Sequence, residues 1–419
     1  MESTGIIDLK FRKRRDFSKF YLLRNPFPAI GIPEDVPLFT ANRENEIVRF
    51  QNVIAELVDY GSSLLTVMVG EYGSGKSHLF KVFKNSVNTQ LLNREDGTLA
   101  IYVKTPGEEF KYLFLGFIDD IGRDLLQILS SDLILELMST NPEYHEYIIN
   151  QEMKEKIDQE TYNAEEILTN SRYKDMFTNI RKTIFTNIQE SDVVRAFLHM
   201  SHPDKGIASW KWFIGEKLDR QEKETLSMLT TSIDTENAYS LFCDFVQLLH
   251  LIGIKNIVLL IDELEKITLI SPIRRARYQD NLRQIIDEHP QNVCFYFSIA
   301  QRQWSALTRE PTALVRRLQG NWHILEPFKK SDVQELIEKY LFSARVLNFS
   351  GNVAKKEFPE CNPSFCPFND EAISLIHKKS KGIVSNILLI CRSTLNKLID
   401  KSDVYHVIDS NLVEECYPE

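Results

Sequence analysis

Val69-Gly70-Glu71-Tyr72-Gly73-Ser74-Gly75-Lys76-Ser77-His78 interrupts an apolar run with three glycines, a lysine and two serines within eight positions. Before it, Leu64-Leu65-Thr66-Val67-Met68-Val69 reads as a fully buried strand, and after it Leu79-Phe80-Lys81-Val82-Phe83-Lys84 reads as the opening turns of a helix. The glycines therefore sit at a strand-to-helix junction. Gly70-x-x-x-x-Gly75-Lys76-Ser77 is the spacing of a phosphate-binding loop, whose glycines let backbone N–H groups turn inward around a β-phosphate with no Cβ in the way. In that pattern Lys76 reaches the β- and γ-phosphates of ATP and Ser77 ligates Mg2+. The helix that begins here turns its positive end toward the same anion. Gly70, Glu71, Tyr72, Gly73, Ser74, Gly75, Lys76, Ser77 and His78 are the candidate nucleotide contacts.

Such a loop needs a carboxylate at the end of a neighbouring strand, and Ile257-Val258-Leu259-Leu260-Ile261-Asp262-Glu263 supplies two. Asp262 is expected to hold the metal through water, and Glu263 to polarise the attacking water as general base. Leu99–Val103, Val293–Ile299 and Trp322–Leu325 are three further strand-like runs. With helical stretches between them, the five predict an α/β fold with a parallel sheet covered on both faces and ligands at the strands' carboxyl ends. Ser298 and Gln301 lie at the end of the fourth run, where either side chain could touch the γ-phosphate or its water. Arg316 and Arg317 precede the fifth, where a guanidinium could reach a neighbouring subunit's nucleotide.

Composition sets bounds on what else the chain can be. Its 419 residues suggest two to three compact units, and 43% hydrophobic with 26% charged residues reads as soluble and globular. Fifty basic against 59 acidic side chains leave a formal charge of -9, so any nucleic-acid site must be a local patch. No secretory leader or membrane span is read, which predicts a cytoplasmic protein with no membrane partner. Six cysteines argue against a disulfide scaffold, and Cys361 and Cys366 alone are a weak zinc signal.

The glycine loop, the Asp-Glu strand end, a polar residue closing the next strand, arginines before the fifth and helices afterwards resemble, in that order, the AAA+ ATPases, and most closely the branch that holds replication initiators. Arg24-Asn25-Pro26-Phe27-Pro28 and Asn42-Arg43-Glu44-Asn45-Glu46-Ile47 look like that branch's N-terminal strap and its box beside the adenine, which implies Arg43 as a nucleotide contact. Val193–Phe197, Trp210-Lys211-Trp212-Phe213-Ile214-Gly215-Glu216, Asn237-Ala238-Tyr239 through Gly253, and Arg277–Asp287 are similar to the ATP-binding proteins of BREX bacteriophage-exclusion systems. The resemblance implies an N-terminal arm and strap over 1–60, an AAA+ domain over 61–330 with a helical insertion over about 106–252, a helical lid over 331–405 and a tail over 406–419. One position departs from the pattern. Ser385 stands about where the lid's second sensor arginine is expected, with Arg392 two turns further along the same helix.

The insertion reads as helical over Phe110–Leu129, Ile134–Leu137, Ile180–Ile188 and Ala238–Leu251, with Trp210 and Trp212 as packing anchors. Arg12-Lys13-Arg14-Arg15 among aromatics and Arg274-Arg275-Arg277 after the Asp-Glu strand are the basic clusters available to DNA. The expectation is a Mg2+-dependent ATPase that forms a homo-oligomer and acts in antiphage defence with DNA or another defence protein. Two rivals stand beside it: an ATP-binding switch with negligible hydrolysis, and a DNA loader of replication or transposition. The loader reading sits poorly with the roughly twenty residues after Ile399, too few for a further DNA-binding domain.

Overall fold

A computed structural model of the chain describes residues 15–28, 39–61, 64–93, 97–140, 178, 182, 184, 191–288, 292–309 and 312–418. They form two compact units, one of residues 45–70 and 76–324, the other of 1–44, 71–75 and 325–419. Arg12, Lys13 and Arg14, and most of the expected helix over 180–188, lie outside the described residues.

The larger unit is built on five parallel strands: β1 (Leu64–Gly70), β2 (Gly97–Val103), β3 (Ile254–Ile261), β4 (Val293–Ala300) and β5 (Trp322–Ile324). Their order across the sheet is β2-β3-β4-β1-β5, with every neighbouring pair parallel. All five expected strands form; β1 to β4 are buried at nearly every position, as strands covered on both faces must be apolar, and β5 is a short edge strand. Its helices are α1 (Glu44–Tyr60), α2 (Lys76–Gln90), α3 (Phe110–Thr140), α4 (Asp192–Leu198), α5 (Gly206–Phe213), α6 (Arg220–Leu226), α7 (Ala238–Leu251), α8 (Pro272–Glu288), α9 (Gln301–Leu307) and α10 (Ala313–Leu318).

Alternation along the strands sorts the side chains onto two faces. Odd-numbered residues such as Ile101, Val103, Leu259, Ile261, Phe295 and Phe297 join the core with Phe114, Phe117, Phe242 and Phe245 of α3 and α7. On the other face, Phe80 and Phe83 of α2 and Phe50 of α1 gather around Tyr296, with the Phe50 and Phe83 rings stacked at 4.0 Å. Trp212 is fully buried and Trp210 packs against the same core, as anchors should. The two helices expected over 110–137 run as one element, broken locally at Gly122, where φ is 77° and ψ 163°.

The smaller unit carries α11 (Lys330–Phe342), α12 (Gly351–Glu357), α13 (Asp370–Ser380), α14 (Val384–Asp400) and α15 (Ser410–Cys416) around a core of their inward faces. Asp332 is in the first turn of α11, and its carboxylate accepts the N–H of Lys329 at 2.8 Å, which caps the helix from inside. Phe27 is buried in this unit, and Asn25 Nδ2 donates to Asn396 Oδ1 at 2.9 Å and to the carbonyl of Arg392 at 3.1 Å, seating the strap along α14. Arg15 grips Asp400 with two hydrogen bonds of 2.8 and 2.7 Å. All six cysteines are free thiols, and no three His, Cys, Asp or Glu residues gather as a metal cluster among the described residues. No described helix is long and apolar enough to cross a membrane.

Candidate nucleotide and metal site

Strand parity decides which side chains meet beside α2. In register, Tyr102 pairs with Leu260, Val103 with Ile261, and Ile261 with Phe297, while Asp262 N–H extends the ladder to Val103 O at 2.9 Å. Tyr102, Asp262 and Ser298 are all even-numbered residues at the carboxyl ends of β2, β3 and β4. They converge on one carboxylate. Asp262 Oδ2 accepts from the hydroxyls of Ser77 and Tyr102, the latter at 3.1 Å. Asp262 Oδ1 accepts from the hydroxyl of Ser298 and from the Glu263 N–H at 3.0 Å. A buried carboxylate demands such partners, and at 2% exposure Asp262 has four.

Lys76, at the first position of α2, is buried and donates from Nζ to the carbonyl of Gly70 at 2.8 Å. That acceptor is neutral, and an incoming phosphate oxygen would outcompete it by charge. Glu263 departs from the strand into the left-handed region, φ 53° and ψ 43°. That conformation costs a glutamate about 1 kcal/mol or more. Its carboxylate is half-exposed, 3.8 Å from Lys266. Two residues on, buried Glu265 accepts the Ala300 N–H at 3.3 Å, which pins the end of β4 to the segment after β3.

Burial, and then the negative charge of Asp262, push the Tyr102 phenol above its ordinary pKa, so it stays a protonated donor. Asp120 accepts the Tyr102 N–H at 2.8 Å and pairs with Lys84 at 2.7 Å. Burial raises the Asp120 pKa even though Lys84 opposes it.

Residues 71–75 belong to the smaller unit. Gly73 and Gly75 take φ of 77° and 102°, conformations open to glycine and costly for other residues. A Cβ added at Gly75 would meet nothing within 4 Å, whereas one at Gly73 would lie 2.0 Å from Ser385 Oγ. Ser74 Oγ is buried without a hydrogen-bond partner. Open space at Gly75 and an orphaned hydroxyl at Ser74 fit a phosphate. For Mg2+, Ser77 and Asp262 bring together the hard oxygen donors that this ion selects.

The remaining expected residues divide. Ser298 is fully buried on Asp262, while Gln301 is exposed at the first position of α9. Arg317 pairs with Asp287 at 2.6 Å, whereas Arg316 is exposed on the same turn of α10. Arg43 is buried: its guanidinium donates to the carbonyls of Ser74 at 3.0 Å and Glu326 at 2.9 Å and lies 4.4 Å over the Phe328 ring. Those contacts make it a brace for the loop's own backbone. Arg392 is engaged with the carbonyl of Phe27 in the strap. Glu71 and Tyr72 are exposed, and His78 is half-buried in the first turn of α2. The sequence reading missed Tyr102 and Glu265. Tyr102 carried one signal, a polar-tipped residue at the penultimate position of a strand whose other even-numbered residues are apolar or small.

A family model described as "BREX system ATP-binding protein BrxC/D" matches residues 144–409, more than half of the chain and inclusive of Asp262, Glu263, Ser298, Arg316 and Arg317. No curated protein matches the sequence. Among solved structures, the chain is similar to the Aeropyrum pernix ORC1 protein in complex with DNA, at 11% identity and a TM-score of 0.45, over 92% of this chain and 67% of that one. It is similar to the Aeropyrum pernix ORC2 protein in its ADPNP–ADP complexes at 10% identity and 0.45, over 94% and 70%. Pyrobaculum aerophilum Cdc6p follows at 8% identity and 0.38, over 93% and 66%.

Proposed function

Because this chain belongs to the BREX system ATP-binding protein family BrxC/D, we propose that it is an ATPase that hydrolyses Mg2+-bound ATP at the junction of β1 and α2 and uses the cycle to assemble on DNA or a partner protein in antiphage defence. The observation that carries this reading is the meeting of the Ser77 hydroxyl with the Asp262 carboxylate, beside a left-handed Glu263. Bound there, Mg2+ would screen the β- and γ-phosphate oxygens and orient them for in-line attack. Lys76 exchanges its bond to Gly70 O for phosphate oxygens and stabilises the charge that grows on the departing ADP. Glu263 accepts a proton from water. The water oxygen bonds to the γ-phosphorus as the bridging bond to the β-phosphate breaks, so ADP and inorganic phosphate leave and the proton passes to solvent or product.

Arg316, exposed at the end of α10, is the better of the two arginines to serve a neighbouring subunit's nucleotide, since Arg317 is already spent on Asp287. Steady-state phosphate release from ATP, with Mg2+ and with the metal chelated, tests the reading. Release that depends on Mg2+ and is abolished in Lys76→Ala and Asp262→Asn is expected. Release that persists in both variants would place the chemistry elsewhere.

A second reading, an ATP-operated switch that turns over little, draws on the absence of an arginine at Ser385 and on the engagement of Arg392 with the strap. Single-turnover measurement separates the two: a bound ATP that outlasts many minutes of incubation favours the switch.

A further inference from the structure

A carboxylate offers about four lone-pair directions, and all four on Asp262 are filled by protein donors. The two on Oδ2 are not equivalent. Ser77 is a short side chain on the first turn of α2 and turns about a single bond. Tyr102 is fixed at both ends. Its backbone N–H is held by Asp120, which is held in turn by Lys84, and its ring stands edge-on to Phe80 at 6.3 Å. A serine oxygen has lone pairs for a cation as well as a proton for Oδ2, so Ser77 has two partners to serve, whereas the Tyr102 hydroxyl is committed to Oδ2 alone among the metal-site oxygens.

On the reading of this site as a Mg2+–ATP site, we infer that Tyr102 is a positioning residue for the cation: its hydroxyl holds Asp262 Oδ2 in place while Ser77 ligates the metal. Groups that orient a metal-binding carboxylate typically contribute ten- to hundredfold to metal affinity or activity, and the same is expected here.

Tyr102→Phe keeps the ring and deletes the hydroxyl. Binding of a fluorescent ATP analogue is measured first with metal chelated, then as Mn2+ is titrated in, with bound Mn2+ followed by its electron paramagnetic resonance signal. The metal-free affinity should stay within about twofold of the parent, while the Mn2+ midpoint rises roughly ten- to hundredfold and excess metal restores the signal. Tyr296→Phe, which alters a buried phenol on β4, two strands away and beside His323, should leave the midpoint alone.

An unchanged Mn2+ midpoint in Tyr102→Phe overturns the inference. So does a loss of metal-free affinity together with a lowered melting temperature, which would make Tyr102 a packing residue. Failure of the parent protein to bind the analogue at all would instead remove the nucleotide reading on which the inference rests.

Discussion

The main-chain N–H of Ser385, in the first turn of α14, donates to the carbonyl of Gly73 at 3.0 Å, and the two residues approach so closely that Gly73 has no room for a Cβ. Both residues belong to the smaller unit, so this bond ties the start of α14 to the glycine-rich loop directly. The serine side chain is small enough to permit it, and an arginine at this position would need a different approach.

Gly73→Ala and Gly75→Ala separate steric from conformational demand. Both positions have positive φ, so each substitution costs about 1 kcal/mol or more in strain. Only at Gly73 does the new Cβ also strike Ser385. Thermal melting should show the larger loss for Gly73→Ala, with nucleotide affinity reduced in both. Equal melting temperatures would mean that the Ser385 contact yields freely.

Ser298 and Gln301 make opposite predictions. Ser298→Ala leaves Asp262 Oδ1 short of a donor in a buried site, a loss of about 1–3 kcal/mol that should appear as slower turnover and a higher Mg2+ requirement. Gln301→Ala alters an exposed side chain and should leave both within about twofold, since surface changes cost little. Phosphate release across a Mg2+ series distinguishes them, and a larger effect at Gln301 would reverse the assignment.

How much of this was legible in advance can be argued from the same residues. Each strand announced itself as a mainly apolar run, and Gly70, Gly75, Lys76 and Ser77 stand at a spacing that phosphate chemistry imposes locally. Asp262 followed from its place at the end of such a run. Tyr102 did not, because its role depends on β2 lying beside β3 in a register that pairs Tyr102 with Leu260. Ser298 was named, yet its partner was not. Strand order across the sheet, set by packing between distant segments, decides that it meets Asp262. Arg43 was placed beside a nucleotide by resemblance, and its contacts with two backbone carbonyls and the Phe328 ring could not be read from the sequence.

The two arginines of α10 differ in what they can spare. Arg317→Ala breaks a partly exposed ion pair with Asp287, which is worth about 1 kcal/mol or less, and should change turnover little. Arg316→Ala should lower ATP turnover by roughly three orders of magnitude if it completes a neighbouring site, without weakening nucleotide binding. Mixing Arg316→Ala with Lys76→Ala protein should then recover activity, because each supplies what the other lacks. No recovery, together with normal turnover by Arg316→Ala alone, would leave the arginine without that role.

His323, buried on β5, has its pKa pushed down to about 4 by burial first and then by the charge of Arg49. The unfolded chain therefore binds a proton that the folded one refuses between about pH 6.5 and 4. Stability from this group is complete above about pH 6.5 and falls as pH drops toward 4, by up to about 3 kcal/mol. His323→Leu should flatten that part of a melting-temperature profile. An unaltered acid limb would assign it to other groups.

The measurement that bears most directly on the whole account is paired binding and phosphate release by the parent protein and Glu263→Gln. The parent should bind ATP and release phosphate. The variant should bind equally well while release falls by about a hundredfold or more, the usual worth of a general base. Unimpaired release by Glu263→Gln, or no affinity of the parent for ATP, would contradict it.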